Sequence, residues 1–400
     1  MGVNLLKMDP GDSSVRSGKH LSPGGKGENQ SENHHWAVRT IVKKGEDRFL
    51  ACEDLRALFL DDDEKELLAL PMPKPGSITA TFTVFDGHVD NSASSFCEQR
   101  WLEHLKLAVE KQTKFKNDLS VHGSTRRKER ATQRVMNTSD ENNAEIIHDL
   151  ESVLSEAVSS METAYKESDR GAGGCFGGCF GNPQGKFPKG GSTMCSVLVQ
   201  RGVTDDEEDV KSASFYIVCA NVGDSSCLML PHPDDKEEDF SEGDDTKYQR
   251  LAREHSPDDP LEAQRLVSAG YRLARMSNNR SGKEAGPLRM YPGGIAVSRA
   301  IGNFMRKDAI ISEPECTRVK LPRNGARILV ASDGVFAALN DSEISKICSK
   351  HKHASECVDA VVDRVLEKRG RHDDITLIVC DVPKPEEYLK AFRMNVGTSD

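Results

Sequence analysis

Several features that mark large classes of protein are missing from this sequence. It contains no run of about eighteen apolar residues, which excludes a membrane-spanning helix, and its polar N-terminus lacks the apolar core of a secretory signal. The net charge is −10, so the chain has no positive field of the kind that binding to phosphate backbones requires. We therefore expect a cytoplasmic protein without a nucleic-acid ligand, and a nuclear location is compatible with the same observations.

A disulfide framework is also missing. The eleven cysteines occur at irregular spacings, and most of them stand within apolar segments. Buried thiols in a reducing compartment account for this pattern better than disulfides do. Cys175 and Cys179, in "GGCFGGCFG", have no second pair elsewhere in the sequence. A flexible glycine loop is therefore favoured over a metal or redox pair.

The first residues, "MGVNLLKM", place Gly2 where an N-myristoyl group is attached, but Leu6 stands where the acceptor pattern has serine or threonine. A single acyl chain at Gly2 would give only a weak, reversible membrane anchor.

Composition divides the chain into one large folded region and two tails. Residues 1–34 show no helical or strand periodicity and predict a mobile tail, residues 35–383 predict a single folded domain that we expect to be monomeric, and residues 384–400 predict a second tail. Three polar stretches within the domain predict solvated inserts, near 116–143, 203–212 and 231–247.

Hydrophobic spacing within the domain predicts a mixture of helices and short strands. The glycine-rich stretch 271–294 predicts an irregular flap that faces the substrate. The pattern alone supports an α+β protein with antiparallel pairing. The predicted helices are 93–111, 144–166, 260–269, one that begins at Asn340 or Asp341, and one through Val358 and Leu366; the predicted strands are 194–200, 214–221, 226–230, 327–331 and 375–381.

Three aspartates stand at the ends of β-prone runs that are far apart in the sequence. Asp86 follows "TATFTVF", Asp333 follows "ARILVAS", and Asp373 precedes "ITLIVCD". Carboxylates at strand ends can converge on a cation, and a ligand set made only of oxygens selects Mg²⁺ or Mn²⁺ rather than zinc. The pattern therefore indicates a metal site.

Together with the surrounding segments, these acids resemble the ordered motif set of the metal-dependent protein serine/threonine phosphatases, type 2C. The resemblance runs from about Trp36 to Val382. It implies a four-layer sandwich of two antiparallel β-sheets flanked by α-helices, and an enzyme that hydrolyses phosphoserine and phosphothreonine in protein substrates. The matching segments are "KKGEDRF", "DGH", "GGSTMCSVLVQ", "CANVGDSSCLML", "HSPDDPLEAQRLVSAG", "GGIAVSRAIGNF", "ISEPE" and "ASDG".

The resemblance also implies a centre of two Mn²⁺ or Mg²⁺ ions. By the family pattern Asp86 bridges both ions, the carbonyl of Gly87 binds the first, and Asp333 and Asp373 bind the second. Two such cations would supply a hydroxide near neutral pH and positive charge for the phosphoryl oxygens.

Three further residues match catalytic positions of the family. Glu46 and Asp47 correspond to the acidic pair that reaches the metal-bound waters and orients the attacking one. His88 corresponds to the general acid, and the ordinary pKa of histidine suits proton delivery to a leaving alkoxide. Each has a plainer interpretation, a solvated turn for the acidic pair and a hydrogen-bonded structural histidine for His88.

One departure from the family pattern concerns phosphate binding. Where the family has an arginine, four residues before Glu46, this chain has Val42. If the segment is extended, Lys44 shares a face with Val42 and Glu46 and could supply the charge. Lysine is a point charge rather than a two-pronged clamp, so we expect weaker binding of phosphate.

Other departures concern further metal ligands. Pro188 and Ala337 occupy positions where many family members have acids for a third metal, so we expect no third site of the usual kind. Val89 and Asp90 replace the usual small pair after "DGH". Asp224, in "NVGDSS", is a further candidate ligand, but an acid after glycine between two strands is more typical of turn chemistry.

Two functions of different classes follow. The retained acids favour a phosphatase, whereas Val42, Pro188 and Ala337 favour a catalytically weak or inactive scaffold that binds partner proteins. A pure scaffold has no chemical need for converging, mutually repelling carboxylates, which favours the enzyme. A metal-binding protein without phosphate chemistry is a third hypothesis.

Overall fold

The structure is a computed structural model. It describes residues 5–7, 16–18, 35–55, 58–59, 73, 76–122, 141–168, 190–202, 214–234, 248–277, 284–370 and 372–394.

The described residues form seventeen strands. Numbered in chain order, they are β1 (Leu5–Lys7), β2 (Arg16–Gly18), β3 (His35–Ile41), β4 (Arg48–Cys52), β5 (Ile78–Phe85), β6 (Gly87–His88), β7 (Gly191–Ser192), β8 (Met194–Arg201), β9 (Phe215–Val222), β10 (Ser226–Pro231), β11 (Gln249–Arg250), β12 (Arg272–Ser277), β13 (Glu284–Tyr291), β14 (Ile301–Gly302), β15 (Glu315–Lys320), β16 (Ala326–Ala331) and β17 (Ile375–Val382).

Seven α-helices and one short 3₁₀ helix, Phe304–Arg306, lie within the same residues. The α-helices are α1 (Ser92–His122), α2 (Glu141–Ser168), α3 (Pro260–Ser268), α4 (Asp333–Phe336), α5 (Asp341–Cys348), α6 (Ala354–Arg369) and α7 (Pro385–Met394).

Two six-stranded sheets dominate the fold. The first has the strand order β1-β4-β5-β8-β9-β15 and the second has the order β11-β10-β16-β17-β3-β2. Neighbouring strands pair antiparallel throughout, for example Phe82 opposite Val197 in the first sheet and Val330 opposite Ile378 in the second. Two smaller units, β12–β13 and β14–β7–β6, complete the pairing.

The hydrophobic core has three large layers, which define how the sheets and helices stack. One cluster joins the inner faces of the two sheets and contains Phe82 and Ile328. A second joins the outer face of the first sheet to α1 and α2, and a third joins the outer face of the second sheet to α5 and α6. This is the predicted sandwich of two antiparallel sheets flanked by helices, and the α+β prediction is confirmed.

The alternation of side chains along the central strands explains why they are buried on both sides. In β5, Ala80, Phe82 and Val84 face the cluster between the sheets, whereas Phe85 faces the cluster beneath α1 and α2. Ile78 also faces the cluster beneath the helices, because the pairing register shifts between Ile78 and Ala80. Successive side chains of a strand point to opposite faces, so a strand that is covered on both faces reads as continuously apolar.

The helices predicted from periodicity are confirmed, with different ends. The predicted helix 93–111 extends to Ser92–His122, and 144–166 extends to Glu141–Ser168. Asn340 caps α5, since its side chain accepts from the N–H of Glu343 and Glu343 reaches back to the N–H of Asn340.

The prediction of two tails is wrong in part. β1 and β2 lie within residues 1–34 and pair with β4 and β3 at the sheet edges. Edge pairing uses backbone groups, so side-chain periodicity does not reveal it. Within 384–400, α7 buries Tyr388 and Leu389 completely, and Tyr388 packs edge-on against Phe215.

The flap prediction is corrected in its local structure. Residues 271–294 are not irregular, because β12 and β13 form an antiparallel hairpin within them. That this hairpin faces a substrate stays a prediction. Gly2, Cys175, Cys179 and Pro188, together with most of the three predicted inserts, lie outside the described residues.

The nine cysteines among the described residues are all free thiols, eight of them buried and Cys316 half-buried, as predicted. Within the same residues, no helix is both long enough and apolar enough to cross a bilayer.

Candidate metal centre and active site

Three aspartates meet at one end of the sandwich. Carboxylate oxygens of Asp86, Asp224 and Asp333 all lie within 4.8 Å of one another. Asp86 directly follows β5, Asp224 lies in the turn between β9 and β10, and Asp333 is the first residue of α4, just after β16. Both sheets therefore contribute to the group.

The electrostatics of this group are unfavourable without a cation. Burial is the main cause that raises the pKa of Asp86, Asp224 and Asp333, and repulsion from the neighbouring carboxylates raises each pKa further. Asp373 is one of those neighbours. A set of ligands made only of oxygens, whose carboxylates repel one another, fits a hard divalent ion such as Mg²⁺ or Mn²⁺.

Thr193, between β7 and β8, holds the backbone of Asp86 and contacts the residue next to Asp224. The N–H of Thr193 donates to the carbonyl of Asp86 at 2.8 Å, and the N–H of Asp86 donates to Oγ1 of Thr193 at 3.2 Å. The same Oγ1 lies 2.7 Å from Oγ of Ser225, next to Asp224. Thr193 therefore links the Asp86 strand end to the Asp224 turn.

The loop between β3 and β4 lies against the group and depends on Asp374. The Asp374 carboxylate accepts four backbone N–H bonds at 2.5–3.2 Å, from Lys43, Lys44, Glu46 and Asp47. Burial alone would raise the pKa of Asp374, but these four donors outweigh burial and lower it. Asp374 thus holds the loop in one conformation.

This loop carries the predicted acidic pair. Asp47 is buried, and neither of its carboxylate oxygens makes a hydrogen bond of regular geometry to the described residues, although the nearby hydroxyls of Thr376 and Ser332 act to lower its pKa. Burial, with repulsion from Asp374, raises the pKa of Asp47 to about 7. Glu46 is half-buried, and burial also raises its pKa, against the attraction of Lys44. Buried acceptors without a regular hydrogen bond fit a site that orders water or binds a cation.

Asp373 and Lys44 form an ion pair at the rim. Lys44 Nζ lies 2.6 Å from Oδ1 of Asp373 and 3.8 Å from Oε2 of Glu46, and about half of the Lys44 side chain is exposed. The chain bends at residues 43–45, so the condition of an extended segment, on which the shared face of Val42, Lys44 and Glu46 depended, is not met. Lys44 nevertheless lies beside Glu46, because the bend turns its side chain toward the acids.

His88 and Gly87 occupy the short strand β6. Nε2 of His88 lies 2.7 Å from Oδ1 of Asn303, and burial lowers the pKa of His88. Gly87 permits a close approach, since a Cβ there would stand 2.7 Å from the carbonyl oxygen of Glu46. The acidic loop therefore packs directly on the backbone that follows Asp86.

Sequence reasoning singled out Asp86 and Asp333 as ligands, judged Asp224 more typical of a turn, and did not consider Asp374. Asp224 does lie in a turn, as expected, and its carboxylate also joins the group. The available signal was its position, since Asp224, like the other two acids, stands just after the end of a buried strand. Asp373 is at the rim, while Asp90 accepts from the N–H of Ser92 at the start of α1.

Comparisons with known proteins relate this chain to protein phosphatases. Residues 184–375 match the family model described as Protein phosphatase 2C. The rice (Oryza sativa subsp. japonica) "Probable protein phosphatase 2C 69" is 34% identical over 174 residues, which cover 43% of this chain and 38% of the relative. "Probable protein phosphatase 2C 5" of Arabidopsis thaliana is 25% identical over 346 residues, or 86% of this chain and 60% of the relative.

Among solved structures, "Crystal structure of serine-threonine phosphatase 2C from Toxoplasma gondii" superimposes with a TM-score of 0.55 at 16% identity, covering 92% of this chain and 99% of that chain. At that identity the likeness shows the fold alone. This chain spans from about a third to three fifths of the length of the curated relatives it matches (34% to 60%). Over residues 184–375 this chain is therefore similar to the protein phosphatase 2C family, and it shares the fold of that solved structure.

Proposed function

We propose that this chain is a metal-dependent protein phosphatase that hydrolyses phosphoserine and phosphothreonine in proteins. The proposal depends on one observation, the group formed by Asp86, Asp224 and Asp333, whose carboxylate oxygens lie within 4.8 Å of one another at a sheet end. Such an arrangement costs stability through repulsion unless a cation is bound. The family match supports phosphomonoester hydrolysis as the reaction.

In this proposal two divalent cations occupy the site. Asp86, Asp224 and Asp333 hold them in the interior, and Asp373, Glu46 and the carbonyl of Gly87 supply ligands toward the rim. Bound cations would lower the pKa of a water and neutralise phosphoryl oxygens. The protein side chains keep the cleft rigid, because Asp374 fixes the acidic loop and Thr193 fixes the Asp86 strand end.

Asp47 and Glu46 order the attacking water, and His88 is the proton donor. The carboxylate oxygens of Asp47 are suited to accept hydrogen bonds from water. During hydrolysis, the bond between phosphorus and the leaving oxygen breaks while a new bond to the water oxygen forms. His88 donates a proton to the leaving oxygen, and the proton released by the attacking water restores the ring.

Lys44 contacts the substrate phosphate in this proposal. Burial alone would lower the pKa of Lys44, but Asp373 and Glu46 raise it, so Lys44 keeps its charge at the rim. When cations neutralise these acids, the ammonium group is released to bind a phosphoryl oxygen. A flexible lysine binds phosphate through one point of charge, which predicts weak substrate binding.

The test is hydrolysis of p-nitrophenyl phosphate and of a phosphothreonine peptide, with and without Mn²⁺. We expect metal-dependent turnover that falls by at least about a hundredfold in Asp333→Ala, since metal chemistry supplies several kcal/mol of transition-state stabilisation. Lys320→Ala, on the exposed end of β15, is a matched control that should keep full activity. Equal, negligible rates in all proteins would contradict the proposal.

The rival function is a phosphatase-like scaffold with little activity. The ion pair of Lys44 with Asp373 favours it, because this pair neutralises a carboxylate that would otherwise bind metal. Val42 in place of an arginine points the same way. In that case Mn²⁺ would bind weakly, and the wild type and Asp333→Ala would hydrolyse both substrates at the same background rate.

The absence of a third metal site stays a prediction. Ala337 caps the end of α4 and offers no ligand side chain, whereas Pro188 lies outside the described residues. Counting bound ions by anomalous scattering from Mn²⁺-soaked crystals would test it directly.

A further inference from the structure

Asn303 directs its side-chain amide at His88 rather than at its own backbone. Its Oδ1 lies 2.7 Å from Nε2 of His88. Asn303 stands at the N-cap of the 3₁₀ helix Phe304–Arg306, yet its side chain makes no capping hydrogen bond there. The residue is buried and has a left-handed backbone, with φ 51° and ψ 39°. The side-chain oxygen of Asn303 therefore contacts the imidazole ring of His88 instead of capping the helix.

The surrounding backbone leaves room for this contact. β6, β7 and β14 form a small sheet in which His88 lies opposite Gly191, and Gly191 lies opposite Gly302. A Cβ at Gly191 would stand 2.0 Å from Oδ1 of Asn303 and 2.5 Å from Nε2 of His88. Any side chain at Gly191 would separate the two groups. The N–H of Asn303 also donates to the carbonyl of Gly190 at 3.2 Å.

We propose that Asn303 is a positioning residue that fixes the tautomer and the orientation of His88 for proton transfer to the leaving group. This inference rests on the proposed function. Because Oδ1 of Asn303 accepts from Nε2–H, Nε2 stays protonated and any proton exchanged with the substrate passes through Nδ1. The Nδ1–H bond breaks as the O–H bond of the leaving alcohol forms.

A neutral acceptor suits this place in the cleft. A carboxylate at position 303 would add negative charge near acids that already repel one another. An aliphatic residue would leave Nε2–H without an acceptor in a buried position, which costs free energy. The left-handed backbone is tolerated by asparagine and by glycine, but not by most other residues.

The variant Asn303→Gly removes the amide and keeps the left-handed backbone. Proton donation matters most when the leaving group is a poor one, so the readout is kcat for a phosphothreonine peptide, phenyl phosphate and p-nitrophenyl phosphate. We expect kcat to fall at least about tenfold for the phosphothreonine peptide and for phenyl phosphate, and less than about twofold for p-nitrophenyl phosphate. The larger loss is a part of the 10²–10⁴-fold rate increase that acid–base catalysis typically contributes. KM and Mn²⁺ affinity should not change.

Three controls make the result specific. Asn303→Asp, which keeps an acceptor at the same place, should recover part of the peptide activity. Met305→Ala, in the same 3₁₀ helix but with a highly exposed side chain, should leave all three substrates unaffected. Asn303→Gly added to His88→Gln should cause no further loss of kcat, because the two residues act as one unit.

A uniform loss across the three substrates, or a further loss in the His88→Gln background, would overturn the inference and indicate a structural role. So would full activity of Asn303→Gly. These outcomes leave the proposed function intact, since that function fails only if the wild-type chain shows no metal-dependent hydrolysis.

Discussion

The cleft contains an interior group of acids and, next to it, Asp374, and the pKa shifts of the two are opposite in direction. The interior group, Asp86, Asp224 and Asp333, has a raised pKa at each member because burial and mutual repulsion oppose ionisation. Asp374 has a lowered pKa because four backbone N–H groups point at its carboxylate. Aspartate thus fixes a loop where backbone donors surround its carboxylate, and it could bind a cation where other carboxylates surround it.

This contrast separates a ligand from a structural residue better than sequence position does. Asp373 and Asp374 are adjacent in the sequence. The carboxylate of Asp374 accepts hydrogen bonds from backbone N–H groups, whereas that of Asp373 pairs with Lys44 at the rim. The donors around an acid, and not its place in a motif, decide which role it has.

The sharpest test of the contrast compares Asp224→Asn with Asp373→Asn. Asp224 belongs to the interior group and Asp373 to the rim, so we expect Asp224→Asn to lower kcat/KM by about a hundredfold and Asp373→Asn by about tenfold. Steady-state kinetics on p-nitrophenyl phosphate over a Mn²⁺ titration would measure both. A smaller effect at Asp224 than at Asp373 would show that the interior group is not the metal centre.

Asp374→Asn should act on stability. It keeps the shape of the side chain but removes the charge that four N–H groups stabilise, so we expect a loss of about 2 kcal/mol in the free energy of unfolding at pH 7. Since the folded pKa of Asp374 is lowered, its contribution is present above the unfolded pKa near 4 and is lost as pH falls further. Urea unfolding at pH 7 and pH 3 should show a larger difference between wild type and variant at pH 7 than at pH 3.

Asn324→Asp, on the turn before β16, is a control that changes charge without touching the cleft. An Asp374→Asn protein as stable as wild type at pH 7 would mean that the loop does not depend on this carboxylate.

The interior acids predict the opposite dependence on pH. Their folded pKa values are raised, so the folded state without metal holds protons that the unfolded state has released, and stability falls as pH rises above the unfolded pKa near 4. Asp47, with a pKa raised to about 7, has the same dependence. We expect Mn²⁺ to raise the melting temperature by about 5 °C at pH 7 and by less at pH 5. Thermal melts with EDTA and with Mn²⁺ would measure it. An equal shift at both pH values would rule out repulsion as the source.

Much of the fold and part of the site could be predicted from the sequence. The strands around Phe82 and Ile328 are long and apolar, and the helices α1 and α2 have clear periodicity, so local pattern sufficed. Asp86 and Asp333 stood out because each ends such a strand. β1 and β2 could not be predicted, because edge pairing is made by backbone groups. The role of Asp224 depends on carboxylates from distant segments, and the role of Asp374 depends on backbone donors from a distant loop.

α7 was missed although its sequence carries a start signal. Residues 385–394 begin with proline and two acids, which favour a helix N-terminus, but the segment is too short for periodicity to distinguish it from a tail. Its stability comes from Tyr388, which fills the space between the sheets and lies 2.8 Å from Oγ1 of Thr79. The tertiary contacts of Tyr388, rather than the local sequence, therefore stabilise α7.

The smallest expected effect concerns Lys44, which pairs with Asp373 at the rim. Lys44→Ala should raise KM for a phosphopeptide about threefold and change kcat little, because an exposed lysine contributes less than about 1 kcal/mol to binding an anion. The same change frees Asp373 and Glu46 from their cation, so Mn²⁺ affinity should rise slightly. Lys44→Arg, which offers two donors to phosphate, should lower KM below the wild-type value. If Lys44→Ala weakens Mn²⁺ binding instead, the lysine supports the acids rather than competing with the metal for them, and its assignment to the phosphate is wrong.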